Sequence, residues 1–267
     1  PSDIVSDDDG GQTATWAASH RQSLSSNKDT GEGWPGCRDI DHKSDNVRNN
    51  YNAYLKFLLE DLGYAGFRYD MVKGFAPEYV AQYNQTVQPQ FSVGEYWDNS
   101  TATKLWVNGT KVNNVPQSAA FDFPFRYTVR DAANSGDWSK LENASNAPLI
   151  NSRQFRQYAV TFVENHDTQM RSASEPLDPI KKDTLAANAY LLAMPGTPCV
   201  FYRHWLDYKQ AIKAMIEVRR AAGIVNTSVP TIVSREPKQY VVSVAGTKGT
   251  LLCVLGDEAE NYASDAT

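Results

Sequence analysis

Three segments of the sequence each place a carboxylate where an apolar run gives way to polar residues. The segments are Gly66-Phe67-Arg68-Tyr69-Asp70, Val93-Gly94-Glu95-Tyr96-Trp97 and Phe162-Val163-Glu164-Asn165-His166-Asp167. In a barrel of alternating strands and helices, the active site is built at such carboxyl ends of strands. Two acids that converge there suit cleavage of a glycosidic bond, one as nucleophile and the other as proton donor.

Asp70 is the candidate nucleophile. Arg68 lies two residues before it, so in a strand the two side chains point to the same face. A neighbouring guanidinium favours the ionised carboxylate that a nucleophile requires. The alternative is a structural Arg–Asp pair at a strand end, because such ion pairs also occur outside active sites.

Glu95 is the candidate proton donor. It is followed directly by the aromatic residues Tyr96 and Trp97. A carboxyl group held among aromatic rings loses hydration, so its pKa is expected to rise. The alternative is an exposed glutamate at the start of a loop. Trp97 is a candidate for stacking on a sugar ring, with loop packing as its alternative.

Asp167 is a third acid, and His166 beside it is a donor for a sugar hydroxyl. The alternative is a local turn stabilised by these side chains. Glu164 lies three residues before Asp167, on the opposite face of a strand, and is expected to be structural. Three acids at successive strand ends, with Arg68 or His166 beside two of them, favour the active-site interpretation.

The predicted elements alternate between strands and helices. Residues 45–62 have apolar side chains at helical spacing, with Asp45 as expected cap and Gly63 as expected end. Strands are predicted at 65–71, 91–97, 119–123, 158–164 and 198–202, and helices at 77–85, 101–107, 126–133, 179–193 and 208–222. This alternation predicts a parallel sheet with crossover helices. Residues 1–44 read as irregular, and 231–234, 240–244 and 250–255 as β-rich around a hairpin at 246–249.

The composition is that of an ordinary globular protein, with 41% hydrophobic and 21% charged residues in 267. The net charge of −5 argues against a nucleic-acid or anionic-membrane partner. The three cysteines, Cys37, Cys199 and Cys253, have no metal-binding or redox spacing. Cys199 and Cys253 lie in apolar runs, which predicts that both are buried.

These motifs resemble those of the α-amylases, retaining glycoside hydrolases that act on α-glucans. Residues 66–74 are similar to the family's second conserved region, Gly94-Glu95 to the third, 162–167 to the fourth, and 38–42 to a further short motif. The similarity is greatest to plant-like and Bacteroidetes-like enzymes. It implies an α/β fold, a (β/α)8 TIM barrel of which strands 4 to 8 would be present.

The resemblance also implies a role for each matching residue. Asp70 would be the nucleophile that forms a glycosyl–enzyme intermediate, Glu95 the general acid and then the general base, and Asp167 a stabiliser of the transition state. The implied substrate-binding residues are Arg68, which orients Asp70, Lys73 on the leaving-group side, and His166 at the cleavage point.

A structural Ca²⁺ ion is a further implication of the resemblance. Asp39 matches a carboxylate ligand, and the backbone carbonyl of Gly74 matches another ligand. Oxygen ligands of this kind suit Ca²⁺.

The family's first conserved region and the first three barrel strands have no counterpart in the sequence. We therefore expect a fragment, with residues 1–44 as the end of an irregular inserted domain, 45–223 as the C-terminal part of the barrel, and 224–267 as the start of an all-β domain. Five strand–helix units do not close a barrel and leave an exposed edge strand. The 267-residue chain alone is expected to be unstable or inactive.

The implied activity is endo-hydrolysis of α-1,4-glucosidic bonds in starch or glycogen with retention. The alternatives are a maltodextrin-specific hydrolase or transglycosylase of the same family, and an inactive α-glucan-binding chain. The implied partner is an α-glucan polysaccharide, with neither nucleic acid nor membrane as a partner, and a full-length protein that is a monomer. Secretion is expected from the family and because starch is a large external polymer.

Overall fold

The computed structural model describes residues 1–172, 174, 178–260 and 262. The chain divides into two compact units, one formed by residues 1–97 and 105–120 and the other by residues 98–104 and 121–267. Within the described ranges, no helix combines the length and the apolar character that a membrane-spanning segment requires.

The first unit contains a parallel sheet. Strands β1 (Gly66–Tyr69), β2 (Phe91–Gly94) and β5 (Ala119–Phe121) pair in that order. The helices are α1 (Gln12–Ser19), α2 (Asp45–Lys56), α3 (Pro77–Val87) and α4 (Ser100–Gly109), the last of which ends in this unit. Strands β3 (Lys111–Val112) and β4 (Val115–Pro116) form a short antiparallel pair. Single helical turns occupy Asp9–Gly11, Phe57–Asp61 and Val72–Gly74.

The core of the first unit lies between this sheet and the helices. Leu55 of α2, Phe67 of β1, and Tyr79 and Tyr83 of α3 form one buried cluster. Because Phe67 alternates with Arg68 along β1, one face of the strand packs into the core while Arg68 projects from the other. The core therefore fixes the direction in which Arg68 leaves the strand.

The second unit combines helices with two kinds of sheet. Strands β6 (Ala159–Thr161) and β7 (Thr197–Pro198) pair in parallel. Around them are α5 (Phe123–Ser135), α6 (Thr184–Ala193), α7 (Tyr202–Asp207) and α8 (Lys209–Ala222), with single turns at Trp138–Leu141, Leu149–Asn151 and Arg156–Tyr158. Strands β8 (Val229–Glu236), β9 (Gln239–Ala245) and β10 (Thr250–Leu255) form an antiparallel sheet with β9 in the centre.

Most predicted elements are present. The strand–helix alternation, the parallel pairing and the antiparallel tail with its hairpin are confirmed, although the strands are shorter than predicted. The helix predicted over 45–62 is regular to Lys56, continues as one wider turn, and ends at Gly63 with a φ of 72°. Its cap is Ser44, whose hydroxyl accepts from the backbone N–H of Val47, and not Asp45.

Residues 1–44 were predicted to be irregular, and this is wrong for α1. The Asp9 carboxylate accepts from both the backbone N–H and the hydroxyl of Thr13, which ties down the first turn. A β-bridge between Ile4 and Ile40 joins the two ends of the segment. Side-chain capping gives no periodic apolar signal, so the pattern alone did not predict this helix.

Three expectations in the second unit are also wrong in detail. The strand predicted over 198–202 is β7, which stops at Pro198, and Tyr202 already begins α7. Cys199 therefore follows the strand end and is exposed, whereas Cys253 is buried as predicted. Helix α6 begins at Thr184 and not near Pro179. Short apolar runs do not distinguish a strand from a helix start, which accounts for the error at Tyr202.

Candidate active site

Two neighbouring parallel strands present the first two candidate acids. Tyr69 and Gly94 are paired in the register of β1 and β2, and Asp70 and Glu95 are the next residues along each strand. Because both strands run in the same direction, the two acids emerge at the same edge of the sheet. The backbone N–H of Glu95 donates to the carbonyl of Tyr69 at 2.9 Å, which extends the pairing into the site.

Arg68 connects the two acids. Its Nη1 lies 2.7 Å from Oδ1 of Asp70, and its Nη2 lies 2.8 Å from Oε1 of Glu95. The guanidinium is planar with fixed nitrogen positions, so two carboxylates bound to its two ends are held in a defined geometry. The expected Arg68–Asp70 pair is present, and Arg68 also binds Glu95, which the sequence did not predict.

Glu95 has the environment of a proton donor. Glu95 is only 6% exposed, and burial raises the pKa of its carboxyl group. The positive charge of Arg68 opposes this rise in pKa, whereas a hydrogen bond with Asp70 and the charge of Asp70 add to it. The predicted direction of the pKa shift is confirmed, and burial is its main cause.

The chain turns sharply after Asp70. Met71 has a φ of 43°, in the left-handed region that a residue with a Cβ seldom adopts. Its backbone N–H donates to Oε2 of Glu95 at 3.4 Å, and the N–H of Val72 donates to the carbonyl of Glu95 at 3.3 Å. The turn therefore brings backbone donors toward Glu95.

A cavity of about 690 Å³ opens beside this cluster in the first unit. Arg68 and Asp70 are in its wall, and aromatic and apolar side chains form much of the remainder, including Trp34, Tyr51 and Tyr54. The Asp70 side chain is 66% exposed. A polar ligand with apolar ring faces is the kind of molecule that such a lining accommodates.

Lys73 and Trp97 lie on the loops that follow β1 and β2. The ammonium group of Lys73 lies 3.0 Å from Oε2 of Glu32 and 5.7 Å from the centre of the Tyr96 ring. Trp97 is 37% exposed. Glu32 was not predicted as part of the site, because it lies in a polar stretch whose sequence gives no sign of its partner.

His166 and Asp167 form a pair in the second unit, with Nε2 of His166 3.1 Å from Oδ2 of Asp167. Both side chains are accessible to solvent. The carbonyl oxygen of the Asn165 side chain accepts from the backbone N–H groups of Asp167 and Thr168, each at 2.9 Å. This local turn fixes the loop and is compatible with a binding role for the exposed pair.

Glu164 and Asp122 are buried acids with structural contacts. Glu164 accepts from Arg126 at 3.3 Å and from the backbone N–H of Ile180 at 2.8 Å, in agreement with its predicted structural role. Asp122 caps α5 by accepting from the backbone N–H of Phe125 at 3.1 Å. Burial raises the pKa of Asp122 to about 6.

The two residues predicted to bind metal are close to each other. A Cβ placed on Gly74 would lie 4.0 Å from Oδ2 of Asp39. The pKa of Asp39 is raised to about 7 by burial, by a hydrogen bond with Asp29 and by the charges of Asp29 and Asp8. Within residues 1–172, 174, 178–260 and 262, no three His, Cys, Asp or Glu side chains are grouped as a metal site.

Five of the predicted site residues thus fall into two groups in the structure. Arg68, Asp70 and Glu95 form one cluster in the first unit, and His166 and Asp167 form a pair in the second. The short-range pair Arg68–Asp70 was predictable from alternation along a strand, whereas Glu32 and Asp29 come from a distant, irregular segment that carries no such signal.

Comparison with known proteins identifies relatives of the chain. The profile of the α-amylase catalytic domain matches residues 32–218. Probable α-amylase 2 of Arabidopsis thaliana is 30% identical over 251 residues, covering 86% of this chain and 58% of that protein. A glucan 1,4-α-maltotetraohydrolase of Stutzerimonas stutzeri is 30% identical over 242 residues, covering 85% of this chain and 43% of that protein. The chain spans about half the length of these curated relatives.

Solved structures are similar in fold. AmyP in complex with maltose has a TM-score of 0.61 and 15% sequence identity, over 85% of this chain and 59% of AmyP. This similarity, together with the parallel and antiparallel sheets, confirms the predicted fold class, a TIM-barrel architecture followed by an all-β sheet.

Proposed function

The chain belongs to the α-amylase family, and from that premise we propose that the protein hydrolyses α-1,4-glucosidic bonds within starch, glycogen and related α-glucans. The bonds are cleaved internally, and the anomeric configuration is retained. The observation that carries the proposal is the sharing of Arg68 between the exposed Asp70 and the buried Glu95. A retaining glycosidase needs one ionised and one protonated carboxyl group close together.

The proposed reaction has two steps. In the first, the Asp70 carboxylate attacks the anomeric carbon while Glu95 donates its proton to the departing glycosidic oxygen, so the bond to the leaving sugar breaks as the bond to Asp70 forms. In the second, Glu95 takes a proton from water, and the oxygen of that water displaces Asp70 from the anomeric carbon. Two displacements return the original configuration.

The surroundings of the acids suit these roles. Arg68 balances the charge of Asp70 and orients it, since the two are joined at 2.7 Å. Burial raises the pKa of Glu95, which favours the protonated form that a general acid needs. Once Asp70 is esterified, it no longer carries the negative charge that adds to this rise, so the pKa of Glu95 falls when it must act as a base.

We assign binding roles to four further residues. Asp167 and His166 bind sugar hydroxyl groups, and Asp167 stabilises the transition state, which are the roles that the family implies for these two residues. Lys73 contacts sugars on the leaving-group side, and the exposed ring of Trp97 stacks on a sugar ring. AmyP has been solved with maltose, and an α-glucan is the partner that we propose for this protein. The full-length protein is proposed to be an extracellular monomer.

A structural Ca²⁺ ion fits the residues present in part. Asp39 and the carbonyl of Gly74 would hold it, since both offer oxygen ligands and lie close together. Burial, a hydrogen bond with Asp29 and the charges of Asp29 and Asp8 raise the pKa of Asp39, and a divalent cation would neutralise the negative charge gathered there. The ion would supply rigidity to the segment around Asp39 and no step of the reaction.

The test is the release of reducing ends from soluble starch by the 267-residue chain with Ca²⁺ present. The expected result is activity that is lost in Glu95→Gln. Glu78→Gln, a change at an exposed acid of α3, should leave the activity intact. Proton NMR of the first product distinguishes retention from inversion. Such activity also contradicts the expectation that the chain alone is inactive.

Binding of maltoheptaose to the same chain separates the remaining outcomes. Binding without hydrolysis supports an inactive α-glucan-binding chain, the alternative that the sequence leaves open. A chain with neither hydrolysis nor binding contradicts the proposed function. Transfer of glucosyl units to added maltose in place of water identifies a transglycosylase.

A further inference from the structure

The segment 30–32 is attached to the loop that follows β1 by contacts of three kinds. The backbone N–H of Glu32 donates to the carbonyl of Lys73 at 2.8 Å. The backbone N–H of Ala76 donates to the hydroxyl of Thr30 at 3.1 Å. Gly31 approaches Gly74 so closely that a Cβ on Gly31 would lie 2.2 Å from the carbonyl carbon of Gly74. These contacts hold the backbone of the segment in place without the Glu32 side chain.

The side chain of Glu32 adds a contact with a different consequence. Its Oε2 lies 3.0 Å from the Lys73 ammonium group, and that group also lies 5.7 Å from the centre of the Tyr96 ring. Tyr96 directly follows Glu95. A carboxylate and an aromatic face thus both attract the Lys73 ammonium group, and each restricts its long side chain.

We propose that Glu32 is a positioning residue that holds the Lys73 ammonium group beside Tyr96, where it binds the sugars on the leaving-group side of the scissile bond. This inference rests on the proposed function. An ammonium group has three N–H donors, so it can bond to Glu32 and to a sugar hydroxyl at the same time. Glu32 acts on the substrate through Lys73 and touches no reacting atom.

A role in stability is a poor explanation for the pair. The Glu32 side chain is 60% exposed, and exposed ion pairs contribute little to the free energy of unfolding. The backbone hydrogen bond between residues 32 and 73 does not involve the Glu32 side chain, so Glu32→Gln leaves it in place. Glu32→Gln is therefore expected to leave the melting temperature unchanged while it loosens Lys73.

The kinetic test uses Glu32→Gln, Lys73→Met and the double variant in the full chain, with maltoheptaose as substrate and Glu78→Gln as the matched control. Glu32→Gln is expected to raise KM by about two- to fivefold, the range of an exposed ion pair, with little change in kcat. In the Lys73→Met background, the same change is expected to have no further effect. Added salt screens the pair, so the KM of the wild type should rise toward that of Glu32→Gln.

A second readout needs no turnover. The rate at which an amine-reactive reagent modifies Lys73, measured by mass spectrometry, is expected to increase in Glu32→Gln and to stay unchanged in Glu78→Gln. If the wild type is active, and Glu32→Gln has the same KM and the same rate of Lys73 modification as the wild type, the positioning role of Glu32 is overturned. The proposed function then still stands. A wild type that neither hydrolyses nor binds α-glucan overturns the proposed function, and with it the sugar-binding role of Lys73.

Discussion

Glu95 and Glu164 are both buried glutamates that follow a parallel strand and bind an arginine, yet their surroundings differ. Arg68, the partner of Glu95, is partly exposed and is shared with Asp70 in the wall of a cavity. Arg126, the partner of Glu164, is fully buried. Glu164 also accepts from the backbone N–H of Ile180 and from the hydroxyl of Thr168. One pair faces a space that a ligand can enter, and the other closes a packed interior.

Residue types alone do not assign a role to a buried carboxylate. What distinguishes the two pairs is access to solvent, because Arg68 and its second acid Asp70 are exposed in the wall of the cavity whereas Arg126 is fully buried. Substitutions at the two sites should therefore affect different measurements, activity at the first and stability at the second.

The largest expected effect is on activity in Glu95→Gln. Loss of the proton donor should lower kcat by about 10²- to 10⁴-fold, the usual contribution of general acid–base catalysis. The free energy of unfolding should change little, because Arg68, which loses a charged partner, is partly exposed to solvent. Starch hydrolysis and urea unfolding measure the two quantities, and a large loss of stability would show that Glu95 resembles Glu164.

Arg126→Met is the reciprocal change at the second site. It leaves Glu164 buried without its cation, and breaking a buried ion pair in this way costs about 3–5 kcal/mol. The urea midpoint is expected to fall accordingly, whereas Arg153→Met, at an exposed arginine, should leave it unchanged. Equal midpoints in the two variants would contradict the structural assignment.

Glu164→Gln should have a smaller effect on stability. Glutamine keeps an acceptor for Ile180, and Arg126 keeps its contact with Asp178 at 3.0 Å. A loss of about 1–3 kcal/mol in the free energy of unfolding is expected. Hydrolysis by the folded fraction should fall far less than in Glu95→Gln, and an equal fall would place Glu164 in the catalytic machinery.

The last expected effect is a shift in the pH profile of the activity that Arg68→Met retains. Arg68 lowers the pKa of Glu95, so its removal should raise that pKa. A general acid loses activity as the pH rises through its pKa. The alkaline limb of the kcat/KM profile should therefore move to higher pH, and a shift to lower pH would show that Arg68 does not act on Glu95.

The sequence predicted the parts of the site that depend on local pattern. Alternation along β1 and β2 placed Asp70 and Glu95 at strand ends, and aromatic neighbours indicated the raised pKa of Glu95. The predicted strand over 198–202 failed because an apolar run there includes the first turn of α7.

Contacts between distant segments were not predictable in the same way. Glu32 and Lys73 are far apart in the sequence, yet their side chains meet in the structure. No periodicity of the sequence relates the two positions. Arg68 binds Glu95 only because β1 and β2 pair in one register. Such contacts depend on how elements pack, so a single sequence carries the residue types and not the pairing.

The left-handed backbone of Met71 restricts the residues that can replace it during evolution. Its side chain is 45% exposed, so packing leaves the choice of residue open, whereas a φ of 43° restricts it to those that tolerate this conformation. Among random replacements selected for starch hydrolysis, glycine, asparagine and aspartate should be recovered, and valine and isoleucine should disappear. The main-chain conformation of the turn after Asp70 thus limits which residue types can occupy position 71.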